Sequence, residues 1–409
     1  MKRPEILSPA GNFEKMKAAI LYGADAVYLA GNVFGMRAAA DNFSIAELEE
    51  AVVYAHERGV KVYLTVNTMP REYEYDNLRA YFSDLKDVGV DALIIADIGV
   101  LMLAKQMLPD TDIHISTQAN ATSAAACRAW YELGAKRVVL ARELTLEEIK
   151  AIKANIPEDL EIECFIHGSM CISYSGRCLL SGHIVNRDAN RGMCAQPCRW
   201  NFKVKSMEIV EEKREDNPLS LEEIDGETFI MSSRDTCTIE HIPELIEAGI
   251  DSFKIEGRMK SAYYTAVVTN TYKMAIDSYF SGSYEYNPDW YRELESVSHR
   301  DYATGYYYSD SHMDSNTAST TGYIKDKAYL AVVVAYDNES KIATLSQRNK
   351  MKVGDRIEIL SPGRCAVKSV VGEMKNEKGE IIEATSHPYM IFTMESEIAL
   401  SIGDIVRAE

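Results

Sequence analysis

Short apolar runs alternate with longer amphipathic stretches over the first 280 residues, and this alternation limits the possible folds more than any other feature. The runs predict eight strands, at residues 5–8, 26–30, 60–66, 92–96, 113–116, 137–140, 160–166 and 251–255. Glycine follows several of the helical stretches, as at Gly23 and Gly59, because it accepts the left-handed conformation that ends a helix. Eight alternating units favour an α/β fold, a (β/α)8 TIM-like barrel. An open doubly wound sheet is the alternative, although no G-x-G-x-x-G follows the first strand.

Polar side chains stand at the predicted carboxyl ends of these strands. Those ends meet at the mouth of a barrel, where barrel enzymes place their chemistry. We interpret six of these residues as candidate catalytic groups: Arg142, Glu143, His167, Lys254, Glu256 and Arg258. Asn67 and Gln118 end two further strands and are candidate substrate-binding residues. The simpler alternative is that strand ends are polar because they meet water.

The connection between the seventh and eighth strands is far longer than the others, running from about residue 167 to about residue 251. Connections of this length are usually functional or disordered. We predict an inserted cysteine-cluster loop at 168–228, with an acidic, exposed second half at 208–227. Residues 229–231 form a possible extra strand on the return to the barrel.

Four of the eight cysteines lie in this insertion: Cys171, Cys178, Cys194 and Cys198. Their spacing is C-x6-C-x15-C-x3-C, and four thiolates together make a soft tetrahedral site for zinc or an iron–sulfur cluster. Zinc ribbons favour two short Cys pairs, and a single pair here fits that pattern. Spacing alone therefore leaves the two metals open, with unrelated buried thiols as a third possibility.

Basic residues are concentrated in the same insertion, although the whole chain carries a net charge of −18. Residues 177–205 contain six basic residues and one acid. Arg177, Arg191 and Arg199 are three of the six. The group could compensate an anionic thiolate cluster, bind a phosphate or carboxylate, or be a solvated loop. With Tyr174 as a possible stacking surface, these three arginines complete the candidate substrate-binding set.

The remainder of the chain changes in character after a helix predicted at 259–280. Residues 281–322 are rich in Tyr, Ser, Asp and Asn without a helical period, and we interpret them as an irregular connector. Residues 323–409 contain short apolar runs separated by turn residues, which predicts a small C-terminal all-β barrel domain. The barrel with its inserted cysteine-cluster loop therefore occupies residues 1–280.

Composition excludes some classes of protein. The net charge of −18 argues against broad electrostatic attraction to nucleic acid or anionic membranes, although a local basic site stays possible. No apolar run approaches the roughly 18–20 residues of a membrane span, and the first residues lack the apolar core of a signal peptide. We therefore expect no membrane partner and a cytoplasmic protein with reduced thiols.

Several blocks of the sequence resemble the U32 family of collagenase-like peptidases. The segment 163–181, ECFIHGSMCISYSGRCLLS, is similar to the signature of that family. Further similar blocks are EILSPAGN at 5–12, GADAVY at 23–28, NRGMCAQPCR at 190–199, FKIEGRMK at 253–260 and SHR at 298–300. The resemblance spans residues 4–305, and a β-barrel tail is common in longer members.

The resemblance implies an oxygen-sensitive [4Fe–4S] cluster on the four clustered cysteines, and hence the iron–sulfur assembly machinery as a partner. Length and the C-terminal domain most resemble the tRNA uridine hydroxylase branch. That branch forms 5-hydroxyuridine at the wobble position and draws on prephenate rather than O2, so tRNA is the expected partner. Other branches hydroxylate ribosomal RNA or serve ubiquinone hydroxylation.

Two other functions stay open. The family is historically described as a peptidase, but the chain has neither H-E-x-x-H nor G-x-S-x-G, and a Cys164–His167 pair is the remaining nucleophile candidate. A zinc-stabilised RNA-binding scaffold is the non-enzymatic alternative, with Zn2+ in place of the cluster. The sequence leaves the oligomeric state unknown.

Overall fold

The computed structural model of the chain describes residues 2–36, 41–200, 233–309, 324 and 327–409, with the backbone of 223–224 and 227–228. Much of the predicted acidic segment 208–227, the possible strand 229–231 and the end of the predicted connector therefore lie outside the described residues.

Eight parallel strands form a closed barrel. The first twelve strands are β1 (Glu5–Pro9), β2 (Ala26–Ala30), β3 (Lys61–Val66), β4 (Ala92–Ile95), β5 (Asp112–Ile115), β6 (Arg137–Val139), β7 (Glu161–Ser169), β8 (Glu223–Ile224), β9 (Glu227–Thr228), β10 (Asp235–Cys237), β11 (Ser252–Ile255) and β12 (Tyr302–Ala303). Strands β1 to β7 pair in sequence order, and β11 pairs with both β1 and β7. This closure confirms the barrel and excludes the open doubly wound sheet.

Helices follow the barrel strands. They are α1 (Phe13–Leu21), α2 (Ile45–His56), α3 (Tyr75–Asp84), α4 (Ile98–Met107), α5 (Ala124–Glu132), α6 (Leu146–Lys153), α7 (Leu180–Val185), α8 (Ile242–Glu247), α9 (Ala262–Phe280) and α10 (Pro288–Glu295). Capping boxes start α2 at Ser44 and α6 at Thr145, and α9 begins after the cap Ser261. In the described part of the chain, no helix has the length and apolar character needed to cross a membrane.

Alternating side chains along each barrel strand build two separate packed layers. On β2, Val27 and Leu29 point outward and join the core between the strands and the helices. Ala26 and Tyr28 point inward and pack with residues of β1, β3 and β4 inside the barrel. The inward layer carries the side chains that reach the floor of the mouth.

Strand β7 departs from the regular barrel pattern, and this departure positions the insertion. Its earlier residues pair with β11, whereas residues 167–169 pair antiparallel with β10, which in turn pairs with β12. The sheet thus extends beyond the barrel at its mouth. The insertion leaves from the end of β7 and returns at β10, above the carboxyl ends of the other strands.

Helix α10 lies in the segment that we expected to be an irregular connector. Asn287 caps it by accepting from the N–H of Asp289, and Pro288 occupies the first turn. Trp290 and Leu294 are buried against the barrel core. The tyrosine-rich and polar composition concealed this helix, because two apolar contacts over eight residues give little periodic signal.

The C-terminal domain is an antiparallel all-β half-barrel. Its strands are β13 (Tyr329–Asp337), β14 (Ile342–Gln347), β15 (Arg356–Leu360), β16 (Val367–Val370), β17 (Met374–Asn376), β18 (Ile381–Ile382), β19 (Ile391–Glu395) and β20 (Ile405–Ala408). They are ordered β16-β15-β20-β13-β14-β19-β17-β18. Short apolar runs predicted all of these except β17.

Buried polar contacts join the half-barrel to the (β/α)8 barrel. Arg407 of β20 lies 2.7 Å from both Glu293 of α10 and Glu358 of β15. The Tyr22 hydroxyl at the end of α1 donates to the Leu360 carbonyl at 2.9 Å. These contacts place one end of the half-barrel along α1, whose first turn lies at the barrel mouth.

Candidate active site

The carboxyl ends of the barrel strands open into a cavity of about 120 Å3. We call it the mouth cavity. Predicted residues from the strand ends line it together with Tyr174 and all four clustered cysteines: Asn67, Gln118, Arg142, Lys254, Glu256, Arg258, Cys171, Cys178, Cys194 and Cys198. The structure thus brings segments from across the sequence to one site, while their chemical roles stay predictions.

The four cysteines that line the mouth cavity all carry free thiols. Burial raises the pKa of the Cys198 thiol, and the nearby thiols of Cys171 and Cys194 raise it further against the effect of Arg199. The Gln196 N–H donates to Cys194 Sγ at 3.3 Å. Three of the sulfur atoms therefore lie within electrostatic reach of one another, and the fourth shares their cavity.

Close backbone contacts hold the first cysteine loop over the barrel. Gly176 has a φ of +74°, and a Cβ there would lie 2.5 Å from the Gln118 side-chain oxygen. The Asn120 amide, which follows β5, donates to the Ser175 carbonyl at 2.7 Å. A second amide, that of Asn190, donates to the Cys178 carbonyl at 3.0 Å. Glycine at 176 is needed because both the backbone conformation and the space exclude a side chain.

The arrangement of the thiols bears on which metal centre could occupy the cavity. Among the described residues, no group of three or more His, Cys, Asp and Glu side chains is close enough together to hold a metal ion. Zinc requires thiolate sulfurs about 2.3 Å from one centre. An iron–sulfur cluster places its own atoms between its thiolate ligands, so four thiols spread around one cavity fit it better than they fit a single ion.

Arg142 forms part of the cationic wall of the mouth cavity. Its Nη1 donates to the Ser169 carbonyl at 2.7 Å, and its guanidinium carbon lies 3.7 Å from the centre of the Phe165 ring. The nearest carboxylate, Glu256, is 3.6 Å from Nη2. Within the described residues, the buried Nε has no hydrogen-bond partner. The guanidinium is therefore held in place with capacity left for an anionic ligand.

Lys254 rises from the barrel interior into the floor of the same cavity. Its Nζ lies 2.6 Å from the fully buried Glu163 carboxylate and 4.7 Å from the centre of the Tyr28 ring. Arg137 Nη1 lies 3.1 Å from the other Glu163 oxygen. Burial opposes ionisation of Glu163, but Lys254 and Arg137 outweigh it and lower its pKa. The Glu163 carboxylate therefore stays ionised between these two basic side chains.

Arg258 and Asn67 lie on the side of the cavity formed by β1 to β3. The buried Arg258 guanidinium donates to the Met36 carbonyl. The Asn67 side-chain oxygen accepts from the Met36 N–H at 3.1 Å, and its amide donates to Ser116 Oγ at 3.2 Å. Both side chains are fixed by contacts with the loop that follows β2.

Two family descriptions match the chain over most of its length. Residues 11–317 match Peptidase family U32, and residues 325–407 match Peptidase family U32 C-terminal domain. The chain belongs to peptidase family U32. The family predicted from the sequence blocks is therefore confirmed.

Relatives of this U32 protein carry names of different kinds. The tRNA hydroxylation protein P1 of Bacillus subtilis is 38% identical over 99% of this chain and 95% of its own. The tRNA hydroxylation protein P of Escherichia coli is 34% identical over 93% of this chain and 91% of its own. A Porphyromonas gingivalis protein named Collagenase is 33% identical over 93% of this chain and 92% of its own.

Two predicted catalytic residues of the U32 protein do not line the mouth cavity. His167 is buried among Tyr264, Tyr272 and Tyr302, and burial lowers its pKa to about 3. A register shift between β7 and β11 interrupts the alternation of side chains just before His167, and this residue does not line the cavity. Glu143 lies behind Arg142, and burial raises its pKa against the attraction of that arginine.

The basic residues of the insertion are dispersed rather than gathered on the mouth cavity. Arg177 is exposed and does not line it. Arg191 pairs with Glu74 and lines a second cavity on the other side of Cys178. Arg199 lines a third cavity together with Glu256. A common substrate contact for the three arginines would have to span the second and third cavities and the exposed surface at Arg177.

Two residues of the site were missed at the level of sequence. Glu163 lies in a strand that we predicted from its apolar residues. The sequence feature that could have identified Glu163 is a residue of opposite charge, Lys254, on the neighbouring strand. Lys260 lines the third cavity, donates to the Ser298 carbonyl at 2.7 Å, and has its pKa lowered to about 8 by burial. Lys260 lies five positions after residue 255, the predicted end of the eighth strand.

Proposed function

We propose that this U32 protein hydroxylates a uridine of tRNA in an iron–sulfur-dependent reaction that does not use O2, forming 5-hydroxyuridine at the wobble position. The observation that carries the proposal is the mouth cavity, where four free thiols face Arg142, Lys254 and Arg258. Two relatives of nearly the same length are named tRNA hydroxylation proteins, which supports the substrate class.

Cys171, Cys178, Cys194 and Cys198 would hold the cluster, whose assembly would need the iron–sulfur machinery of the cell. When bound, the cluster supplies the electron transfer that functionalising an unactivated carbon requires. The overall change replaces the C5–H bond by C5–OH. This two-electron oxidation of the base is balanced by a two-electron reduction of the oxygen donor, which is not O2 and which exchanges its hydroxyl group for the hydrogen removed from C5.

The cavity residues suit the presentation of a single base. A target base in RNA must leave its stack to reach an enclosed site. Tyr28 and Phe165 give the cavity an aromatic floor, and the exposed Tyr174 stands at its rim. The amides of Asn67 and Gln118 are among the neutral hydrogen-bonding groups in the lining of the cavity that would meet the edge of the base.

The cationic wall suits an anionic oxygen donor. Arg142, Lys254 and Arg258 outnumber Glu256 among the charged residues that line the cavity. Such an excess favours a dicarboxylate, and prephenate is the donor that we propose. Arg142 would hold one carboxylate through its fork, with Phe165 keeping the guanidinium plane in position.

A peptidase is the second candidate, because one relative is named Collagenase. The Cys164–His167 pair gives it little support. Both side chains are buried and absent from the lining of the mouth cavity. Burial raises the pKa of the Cys164 thiol and lowers that of His167, so the pair lacks the thiolate that such chemistry needs.

Anaerobic purification tests the cluster, and nucleoside analysis tests the reaction. We expect a brown protein with about four iron atoms per chain, and loss of iron in C171A and C178A but not in C365A, which lies in the half-barrel. A colourless protein with one zinc would contradict the iron–sulfur reaction.

Persistence of 5-hydroxyuridine in the tRNA of a deletion strain that lacks a parallel enzyme would contradict the proposed substrate. Peptide hydrolysis that survives C171A together with C178A would favour the peptidase.

A further inference from the structure

Two segments at one end of the half-barrel form a single surface, which we call the basic tip: residues 346–352 and 383–390. The Gln347 N–H donates to the Met390 carbonyl at 2.9 Å, and the Tyr389 N–H donates to the Gln347 carbonyl at 3.1 Å. The Met351 N–H donates to Thr385 Oγ1 at 2.9 Å. The two segments are therefore held together by backbone bonds rather than by chance proximity.

The basic tip differs in charge from the rest of this acidic chain. Arg348, Lys350 and Lys352 lie within five residues with no acid between them, in a protein of net charge −18. Lys350 and Lys352 are exposed, and so are His387 and the single acid of the tip, Glu383, on the facing segment. This local cationic surface is complementary to a polyanion.

Tyr389 stands at the centre of the tip in an unusual conformation. Its φ is +61°, a left-handed value that a bulky aromatic residue seldom adopts, and 67% of its surface is exposed. The Arg348 guanidinium carbon lies 4.8 Å from the centre of its ring. Strained residues of this kind tend to occur where a ligand is bound. The Tyr389 ring is therefore exposed to solvent while it contacts the Arg348 guanidinium.

The tip is connected to the barrel mouth through α1. Arg348 Nη2 lies 3.0 Å from Glu14 in the first turn of that helix. The next residue, Lys15, donates from Nζ to the Arg258 carbonyl at 3.2 Å, and Arg258 lines the mouth cavity. A molecule that extends beyond the mouth past α1 would therefore meet Tyr389.

We propose that Tyr389 and Arg348 form a second RNA contact, on which an unpaired base stacks while Lys350 and Lys352 meet the neighbouring phosphates. Stacking on an aromatic ring backed by arginine is a common way to hold single-stranded nucleotides. The inference rests on the proposed function, since it takes RNA to be the molecule that enters the mouth. It gives the half-barrel a role in holding a part of the tRNA distant from the target uridine.

Binding of unmodified tRNA to the full-length protein, measured by fluorescence anisotropy, tests this contact. We expect Y389N to weaken binding at least about fivefold, the lower end of the contribution of one stacked base. Asparagine tolerates the left-handed conformation, so this variant should fold. Y389F should bind as the unaltered protein does. V53A, which changes an exposed apolar residue in the last turn of α2, on the barrel and not on the half-barrel, should also leave binding unchanged.

Binding of a short anticodon stem-loop distinguishes the contribution of the basic tip from that of the mouth cavity. Y389N should bind normally to a stem-loop that is too short to reach Tyr389, and it should bind full-length tRNA weakly. Unchanged binding of full tRNA by Y389N and R348K would overturn the contact and leave the proposed hydroxylation standing. A collagen peptide whose binding depends on Tyr389, with tRNA binding unaffected, would overturn it as well. Absence of tRNA binding by the unaltered protein would overturn both proposals.

Discussion

Lys254 Nζ lies 2.6 Å from the carboxylate of Glu163 on the adjacent barrel strand, and both side chains are buried inside the barrel. Arg137 approaches the same carboxylate from the other side at 3.1 Å. The interior of the barrel thus contains a compensated set of charges beside its apolar cluster. This set fixes one ammonium group beneath the cavity that the cysteines cover.

Glu163→Gln is expected to lower the free energy of unfolding by about 3 kcal/mol, because Lys254 and Arg137 would lose the buried carboxylate between them. Urea denaturation followed by circular dichroism measures the change. Glu147→Gln is the matched control, since its 2.8 Å pair with Lys150 is largely exposed and should contribute less than about 1 kcal/mol. Equal losses in the two variants would show that burial of the Glu163 pair does not matter.

Stability is expected to fall as the pH drops below about 6.5, in part through His167. Burial lowers the pKa of His167 to about 3. The unfolded chain binds the proton near pH 6.5, whereas the folded chain resists it until pH 3, so the stabilisation is complete above 6.5 and is lost as the pH falls. Between pH 7.5 and 5.5 this residue should account for about 1.4 kcal/mol.

Urea titrations at these two pH values, compared with those of His167→Gln, measure that contribution. The variant should lose about 1.4 kcal/mol less than the unaltered protein between the two conditions. His387→Gln serves as the control, because the exposed His387 meets similar solvent in the folded and unfolded chain. An unchanged pH dependence in His167→Gln would mean that His167 is protonated in the folded protein.

Gly176→Ala is expected to displace the first cysteine loop, because its φ is +74° and the new Cβ would lie 2.5 Å from Gln118. Bound iron and hydroxylation activity should fall together, activity by about tenfold or more, since small displacements at an active site are costly. Gly182→Ala is the matched control on the same excursion, because open space surrounds that position. Circular dichroism should show that both variants retain the barrel. Full iron content in Gly176→Ala would contradict this role of the glycine.

Arg142→Lys is expected to raise the KM for the anionic oxygen donor about tenfold while changing kcat little, because lysine keeps the charge but loses the planar fork. It would also lose the contact with Phe165 and the bond to the Ser169 carbonyl. Steady-state kinetics with the donor varied measure both constants. Arg292→Lys, at an exposed pair on α10, should leave them unchanged. A fall in kcat alone would place Arg142 in the chemical step rather than in donor binding.

The barrel was predictable because its signals are local. Apolar runs, helix caps such as Ser44 and the glycines that end helices each act within a few residues, and together they gave the order of strands and helices. Strand β17 and helix α10 were missed because each has few buried apolar contacts, and their positions depend on the surfaces that they pack against.

The sequence by itself determined which chemical groups this protein carries and the order in which they follow one another: four clustered thiols, charged strand ends and a basic insertion. The tertiary structure alone decided which of them meet. Closure of the barrel brings Lys254 of β11 beside Glu163 of β7 at the floor of the mouth, and a register shift between β7 and β11 at residues 165–167 leaves His167 outside the cavity. Distances between groups far apart in the chain depend on how whole elements pack, and no local pattern contains that information.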